Sequence, residues 1–166
     1  MDKIFIHDSA DVSKDAIIAN GVSIWNWTKV REHAKIGKST SIGQCAYIDI
    51  YAVIGDRCKI QNGVQVYRGV HIENDVFVGP NVTFTNDKYP RAHNADWQIV
   101  PTLIKNGASI GAGSTIICGI TIGENAMIAA GSVVTKNVPD NAIVCGNPAV
   151  IVGAVDREGK RVANEN

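Results

Sequence analysis

Few side chains in this sequence have the types and spacing that catalysis demands. Four histidines are present, His7, His33, His71 and His93. A general base needs positioning and a suitable pKa, and His93 is the best placed, inside the irregular stretch TNDKYPRAHNADWQIVPTL from Thr85 to Leu103. That stretch also carries Pro90, Pro101, Tyr89 and Trp97, and its aromatics argue against disorder. His33 and His71 read as outward, solvated residues and His7 as surface polar. Cys45, Cys58, Cys118 and Cys145 show neither CxxC spacing nor a histidine partner pattern, so they read as structural thiols. There is no phosphate-binding GxxxxGK[ST] loop, no HExxH, no GxSxG and no zinc quartet, and no metal is expected.

What must position these residues is a repeat. From Val12, every sixth residue is large and apolar: Val12, Ile18, Ile24, Val30, Ile36, Ile42, Ile48, Ile54, Ile60, Val66, Ile72, Val78, Phe84. Four residues after each comes a small or β-branched side chain, from Ala16 and Val22 through Cys58 to Val82. A period of six fits neither a helix nor an isolated strand and marks a repeat architecture. One bulky and one small inward residue per hexad describe a short strand and a tight turn. Three hexads close a triangular coil of 18 residues, and stacked coils pair strands in parallel around an aliphatic column. An all-β parallel β-helix is therefore predicted, in preference to a sandwich of alternating strands. Each inward Ile or Val contributes roughly 1.5–3 kcal/mol on burial, against a comparable ordering entropy. Glycine often follows the bulky residue (Gly37, Gly43, Gly55, Gly79), where positive φ or close backbone approach is expected.

Residues 1–11 are expected to precede the register and cap the first coil. The period fails after Phe84 and resumes at Ile104, Ile110, Ile116, Ile122, Ile128 and Val134. The composition of Thr85–Leu103 favours an outward loop over a replacement coil, and long excursions from repeat scaffolds are usually functional. Trp25, Asn26 and Trp27, and then Gln61, Asn62, Gln65, Tyr67 and Arg68, hold outward positions where a β-helix core does not need them. They require water, a ligand or a neighbouring subunit. After Pro139, the apolar run beyond Gly146-Asn147-Pro148 is expected to cover the open end of the coil stack.

The bulk numbers limit the partners. With 166 residues the chain reads as a single domain, residues 1–166. Sixteen basic and sixteen acidic residues remove a general electrostatic case for nucleic acid or an acidic membrane. No stretch approaches a membrane span and the first residues lack a signal-peptide pattern, so a cytoplasmic protein is expected.

The hexads, the loop TFTNDKYPRA (83–92), the phrase GASIGAGSTIICGITIGENAMIAAGSVVTKNVPD (107–140) and the terminal GNPA (146–149) resemble the hexapeptide-repeat acyltransferases. Within them the similarity is to nucleotide-linked amino-sugar N-acetyltransferases of bacterial surface-polysaccharide (O-antigen) pathways. It covers roughly residues 5–155; the hexads carry the fold and FTNDKYPRA carries the subfamily. The resemblance implies a left-handed coil, against the usual crossover preference, and a homotrimer with active sites between subunits. It also implies acetyl-CoA as co-substrate and a nucleotide-linked amino sugar as acceptor. Asn86 then corresponds to the asparagine at the amine near the thioester, with His93 the candidate base. Gln61 and Tyr67 correspond to the sugar-nucleotide wall, with Asp87, Tyr89 and Arg91 on the substrate side. Gly111, Ala112, Gly113, Ala129, Ala130 and Gly131 give the pantetheine arm close backbone access, and Lys136 is a further candidate for binding the coenzyme.

Two departures from the pattern matter. Uronate-acting relatives carry a second arginine shortly after the PR dipeptide, suited to a carboxylate fork; here no cation follows Arg91 before Lys105. This favours a neutral dTDP-linked 3-amino-3,6-dideoxyhexose over a UDP-linked 3-amino uronate or a 4-amino sugar. Val150 stands where relatives often place a cation after GNPA, so the coenzyme phosphates must look to Lys105, Lys136, Arg157, Lys160 or Arg161. The other function classes are a zinc-binding, carbonic-anhydrase-like β-helix, whose histidine spacing is missing here, and a catalytically silent scaffold.

Overall fold

A computed structural model describes residues 3–156 and 158–162. The hexads fold as the period requires. Each contributes a two- or three-residue strand, and three parallel stacks of strands form the faces of a prism. Face I begins at Phe5–Ile6 and runs through Ser23–Ile24 and Ser41–Ile42 to Met127–Ile128 and Ala142–Gly146. Face II runs from Asp11–Val12 to Val133–Val134, and face III from Ile17–Ile18 to Thr121–Ile122.

The last residue of each coil strand points inward. Ile24, Ile42, Ile48, Ile72, Phe84, Ile104, Ile110, Ile116 and Ile122 are completely buried, as are the small partners Val22, Ala34, Ala52, Cys58 and Val82. Inward hydroxyls are satisfied by backbone: Thr28 Oγ1 donates to the Gly43 carbonyl and Thr40 Oγ1 to that of Gly55, both at 2.8 Å. Such pairing is what makes a buried hydroxyl tolerable.

The corners divide two tasks between two positions. From Gly21 onward the residue before a small inward side chain commonly takes positive φ, whether glycine (Gly21, Gly63, Gly113, Gly131) or not (Trp27, His33, Tyr51, Asn81). The glycines after the bulky residue serve close approach instead. A Cβ on Gly37 would lie 2.4 Å from the Gly55 carbonyl carbon, and one on Gly111 would lie 2.4 Å from the Ala130 nitrogen.

One expectation is corrected and another refined. Residues 5–12 do not precede the register but form the first coil: Ile6 pairs with Ile24 and Val12 with Val30. The series therefore starts one hexad earlier, at Ile6, which is exposed. At the other end the apolar run meets the last coil, with Ala149 packed on its core and Val150 and Ile151 bordering a hollow with Val134 and Val138, but it does so as one strand of a hairpin. Ala149–Val155 turns back antiparallel on Ala142–Gly146, pairing Val144 with Ile151. Val155 is buried there, but Val150, Ile151 and Val152 stay exposed on the projecting hairpin.

The interruption after Phe84 is an outward loop, as its composition suggests. Val70 pairs with Thr102 across it. Equivalent residues of successive coils, 18 apart in the coils before it, are 32 apart here, so the coil carries fourteen extra residues.

Candidate active site

The three prism edges differ sharply in what they present. The edge joining face III to face I is closed by its own side chains. Asp56 Oδ1 accepts from the Lys38 amide at 2.7 Å, Asn74 Oδ1 from Asp56 at 2.8 Å and Asn106 Oδ1 from Asn74 at 3.0 Å. Asp140 continues the pattern under Glu124 at 2.8 Å. Arg57 and Asp75 form a two-bonded pair, both contacts 2.6 Å, and Lys105 reaches Asp140 at 3.3 Å. The Arg57 guanidinium holds the Asp75 carboxyl below the usual carboxylate range, while the Glu124 amide, helped by Lys105, does the same for Asp140.

The edge joining face I to face II carries Trp25-Asn26-Trp27, Gln44, Gln61-Asn62, Pro80-Asn81, then Gly111-Ala112-Gly113 and Ala129-Ala130-Gly131. Its lower part is a track of small residues. Ala112, Gly113, Ala130 and Gly131 are exposed, and a Cβ built on Gly113 or Gly131 would meet nothing within 4 Å. Open space over bare backbone suits a thin, flexible chain whose amides can pair with exposed peptide groups.

The edge joining face II to face III carries the loop and, above it, a packed polar cluster. Arg31 Nη1 donates to the Tyr47 hydroxyl at 3.3 Å, and that hydroxyl donates to Asp49 Oδ1 at 2.9 Å. Burial pushes the Tyr47 phenol above its ordinary pKa, against the pull of the Arg31 guanidinium. Tyr67 packs on Tyr47 at 5.8 Å, His33 stacks on Tyr51 at 5.0 Å, and the Arg68 guanidinium lies 5.3 Å from the Tyr51 ring centre. The Arg31–Tyr47–Asp49 network and the His33–Tyr51–Arg68 stack were not anticipated as units. Tyr47 and Asp49 stand 16 and 18 residues after Arg31, and His33, Tyr51 and Arg68 follow one another at 18 and 17, spacings of one coil that were the available signal.

The loop is anchored at its base. The Val100 amide donates to the Asn86 carbonyl at 3.0 Å, and the Cys118 amide to Thr85 Oγ1 at 2.9 Å. Asn86 is half-buried, and its carboxamide makes no hydrogen bond among the described residues, so it is not spent on capping its own turn. Asp87 Oδ1 accepts from the Tyr89 amide at 2.9 Å, shaping the loop. Asp87, Tyr89 and Trp97 help to line a hollow of about 320 Å³. Arg91 and His93 are exposed, with Arg91 Nη1 donating to the Pro90 carbonyl at 2.7 Å.

The expected site residues therefore fall on two edges. Gln61 and the six small residues share the I/II edge, whereas Tyr67, Asn86, Asp87, Tyr89, Arg91, His93 and Lys136 belong to the II/III edge. Face II lies between them. Lys136 is not beside the small-residue track; it borders a hollow of about 260 Å³ with Val138, Val150 and Ile151. Lys105 is engaged on the sealed edge, Arg161 Nη2 donates to the Val152 carbonyl at 2.7 Å, and Arg157 lies outside the described residues. Among the described residues no group of three or more His, Cys, Asp or Glu is placed to hold a metal ion, and no helix is long and apolar enough to cross a membrane.

The sequence profile of the family described as bacterial transferase hexapeptide (six repeats) matches residues 51–86 and 101–136, interrupted by the loop. Those 72 residues, just under half of the chain, are hexads of the coils described above. Among its relatives, serine acetyltransferase 4 of Arabidopsis thaliana is 36% identical over 135 residues, 80% of this chain and 31% of that protein. The dTDP-3-amino-3,6-dideoxy-alpha-D-galactopyranose 3-N-acetyltransferase of Aneurinibacillus thermoaerophilus is 59% identical over 54 residues, 32% of this chain and 28% of that protein. The chain thus spans under a third of either relative. The acetyltransferase domain of PglB from Neisseria gonorrhoeae FA1090, solved in complex with acetyl coenzyme A, superposes with a TM-score of 0.62 at 21% identity, covering 90% of this chain and 57% of that one. At that identity the likeness is one of fold.

Proposed function

We propose that this protein is an acetyl-CoA-dependent N-acetyltransferase acting on a nucleotide-linked amino sugar, at the C3 amine of a dTDP-3-amino-3,6-dideoxyhexose, for surface-polysaccharide synthesis in the cytoplasm. The observation that carries this reading is the division of the candidate residues between two edges of one prism. A loop bearing Asn86 and a small-residue track can share a cleft when the II/III edge of one subunit meets the I/II edge of the next. Closed cyclic assembly of a three-sided prism makes three such clefts. The relative of 59% identity supports the acceptor class, and the absence of a second cation after Arg91 supports a neutral sugar.

Acetyl transfer to an amine needs little acid–base machinery. An amine of pKa near 8 is about a tenth neutral at pH 7. Its nitrogen attacks the thioester carbonyl, the C–S bond breaks as the carbonyl re-forms, and the proton lost from nitrogen ends on the departing thiolate. Asn86 orients the amine through its unspent carboxamide, and backbone N–H groups of the small-residue track hold the carbonyl oxygen. Holding both substrates in one cleft lowers the barrier by up to about 7–11 kcal/mol in ideal cases. His93 is then dispensable or a proton carrier, which a pH profile of His93→Ala distinguishes.

The test is incubation with acetyl-CoA and a panel of acceptors, read as free thiol. dTDP-, UDP- and GDP-linked 3- and 4-amino sugars, an aminouronate and L-serine form the panel. Preferred turnover of the dTDP-linked 3-amino-6-deoxy sugar is expected; preferred turnover of serine, or none with any amino sugar, would overturn the reading.

A further inference from the structure

The returning limb of the loop, Ile99, Val100 and Pro101, comes back to the prism between two glycines. Gly69 stands one coil before the loop and Gly119 one coil after it, both at the II/III corner position that His33 and Tyr51 fill in the second and third coils. All four take positive φ, 60° for His33 and Tyr51, 93° for Gly69 and 84° for Gly119. This corner therefore accepts side chains in the coils away from the loop, and turns to glycine in the two coils that flank it. Space explains the change. A Cβ on Gly69 would lie 2.5 Å from Ile99 Cγ2, and one on Gly119 would lie 2.8 Å from Val100 Cγ1. Both methyls branch from the Cβ of a stiff side chain, so the limb itself must move to make room.

The same limb holds the backbone of Asn86. The Val100 amide donates to the Asn86 carbonyl at 3.0 Å, and the Thr102 amide donates to the Gly69 carbonyl at 3.0 Å. The Gly119 amide donates to Thr102 Oγ1 at 3.3 Å, and on the outgoing limb the Cys118 amide donates to Thr85 Oγ1 at 2.9 Å. On the face III side, Pro101 and Thr102 border a hollow of about 340 Å³. The height of the limb is therefore set at the two glycines rather than from that side.

We infer that Gly69 and Gly119 are positioning residues for acetyl transfer: they seat the returning limb and, through the Val100–Asn86 hydrogen bond, set where the Asn86 carboxamide meets the acceptor amine. The inference rests on the acetyl-transfer reading and adds to its site two residues that have no side chain to offer a substrate. A Cβ on Gly69 needs about 1 Å more room to reach van der Waals separation from Ile99. A misplacement of about 1 Å at a reacting group costs on the order of 100-fold in rate. Gly69 bears on the limb from the coil before and Gly119 from the coil after, so a side chain at either displaces Asn86.

The experiment pairs each added methyl with removal of the methyl it would meet. Gly69→Ala and Gly119→Ala are compared in the full chain with Gly69→Ala/Ile99→Ala and Gly119→Ala/Val100→Ala, and Ile99→Ala and Val100→Ala alone supply the baselines. Where alanine at a corner prevents folding, asparagine, which accepts positive φ, replaces it. The readouts are kcat, the KM for acetyl-CoA, melting temperature and the hydrogen-exchange rate of the Val100 amide. Each glycine substitution should lower kcat about 100-fold and speed Val100 exchange, with the acetyl-CoA KM unchanged because the small-residue track lies on another edge. The paired variants should recover kcat and slow exchange, while the lower melting temperature caused by a side chain at positive φ persists. Wild-type kcat and exchange in the glycine variants would overturn the inference, as would losses that the paired changes do not rescue, which backbone strain alone produces. A wild-type chain that acetylates no amino sugar would overturn the acetyl-transfer reading instead, and Val100 exchange then decides the seating by itself.

Discussion

The III/I and II/III edges are built from the same hexad and put to opposite uses. On the first, Asp56, Asn74, Asn106 and Asp140 each accept a backbone amide from the coil before, and Arg57–Asp75 and Lys105–Asp140 close the gaps. On the second, the chain leaves the prism for fourteen extra residues and returns with Asn86, Arg91 and His93 carrying side chains that bond little or nothing else. The difference teaches that stability and function are sorted by edge. Polar groups that find partners inside the chain hold coils together, and those that do not are available to a ligand or another subunit.

The sharpest way to break this contrast is to overfill the sealed edge. Gly55→Ala puts a Cβ 2.7 Å from the Glu73 carbonyl, and overpacking against backbone should cost about 3 kcal/mol, seen as a large fall in denaturation midpoint. Asn86→Ala should do the reverse, lowering kcat about 100-fold, the scale of losing one transition-state hydrogen bond, with the midpoint unmoved; wild-type turnover at saturating substrates would remove Asn86 from the site. Asn74→Ala leaves the Asp56 amide without its partner and should cost about 1–2 kcal/mol while kcat holds.

The smallest effect is that of acid. The folded-state pKa values of Asp75 and Asp140 are depressed. Their stabilisation is present above the ordinary carboxylate value near about 3.9 and is lost as pH falls through the lowered folded values. Melting temperature should dip slightly over that acid range, and Asp75→Asn with Asp140→Asn should flatten the dip. Both groups face water, so the change is small.

The prism was legible because Ile24, Ile42 and Ile60 recur at a period that no other element shares, and burial follows from covalent spacing alone. Ile6, six residues before Val12 and followed four residues later by Ala10, is in phase and was legible as the first hexad. The antiparallel pairing of Ala149–Val155 was not legible, because an apolar run says nothing of the direction in which its strand pairs. At the candidate site, the loop and its Asn86 were visible as a break in period. The separation of Lys136 from Gly111–Gly113 was not visible, since hexads three apart share an edge and neighbouring hexads do not, and only counting hexads around the triangle shows which edge each residue occupies.

The central claim is that one site is made from two edges of two chains, and subunit complementation tests it most directly. Asn86→Ala damages only the II/III edge, and Ala130→Trp blocks only the small-residue track of the I/II edge. Each variant alone should be nearly inactive. Equal amounts unfolded and refolded together should recover activity in about a quarter of the sites, the share expected when a closed trimer assembles at random. Activity no greater than the sum of the separate variants, in mixed assemblies shown to have formed, would contradict it.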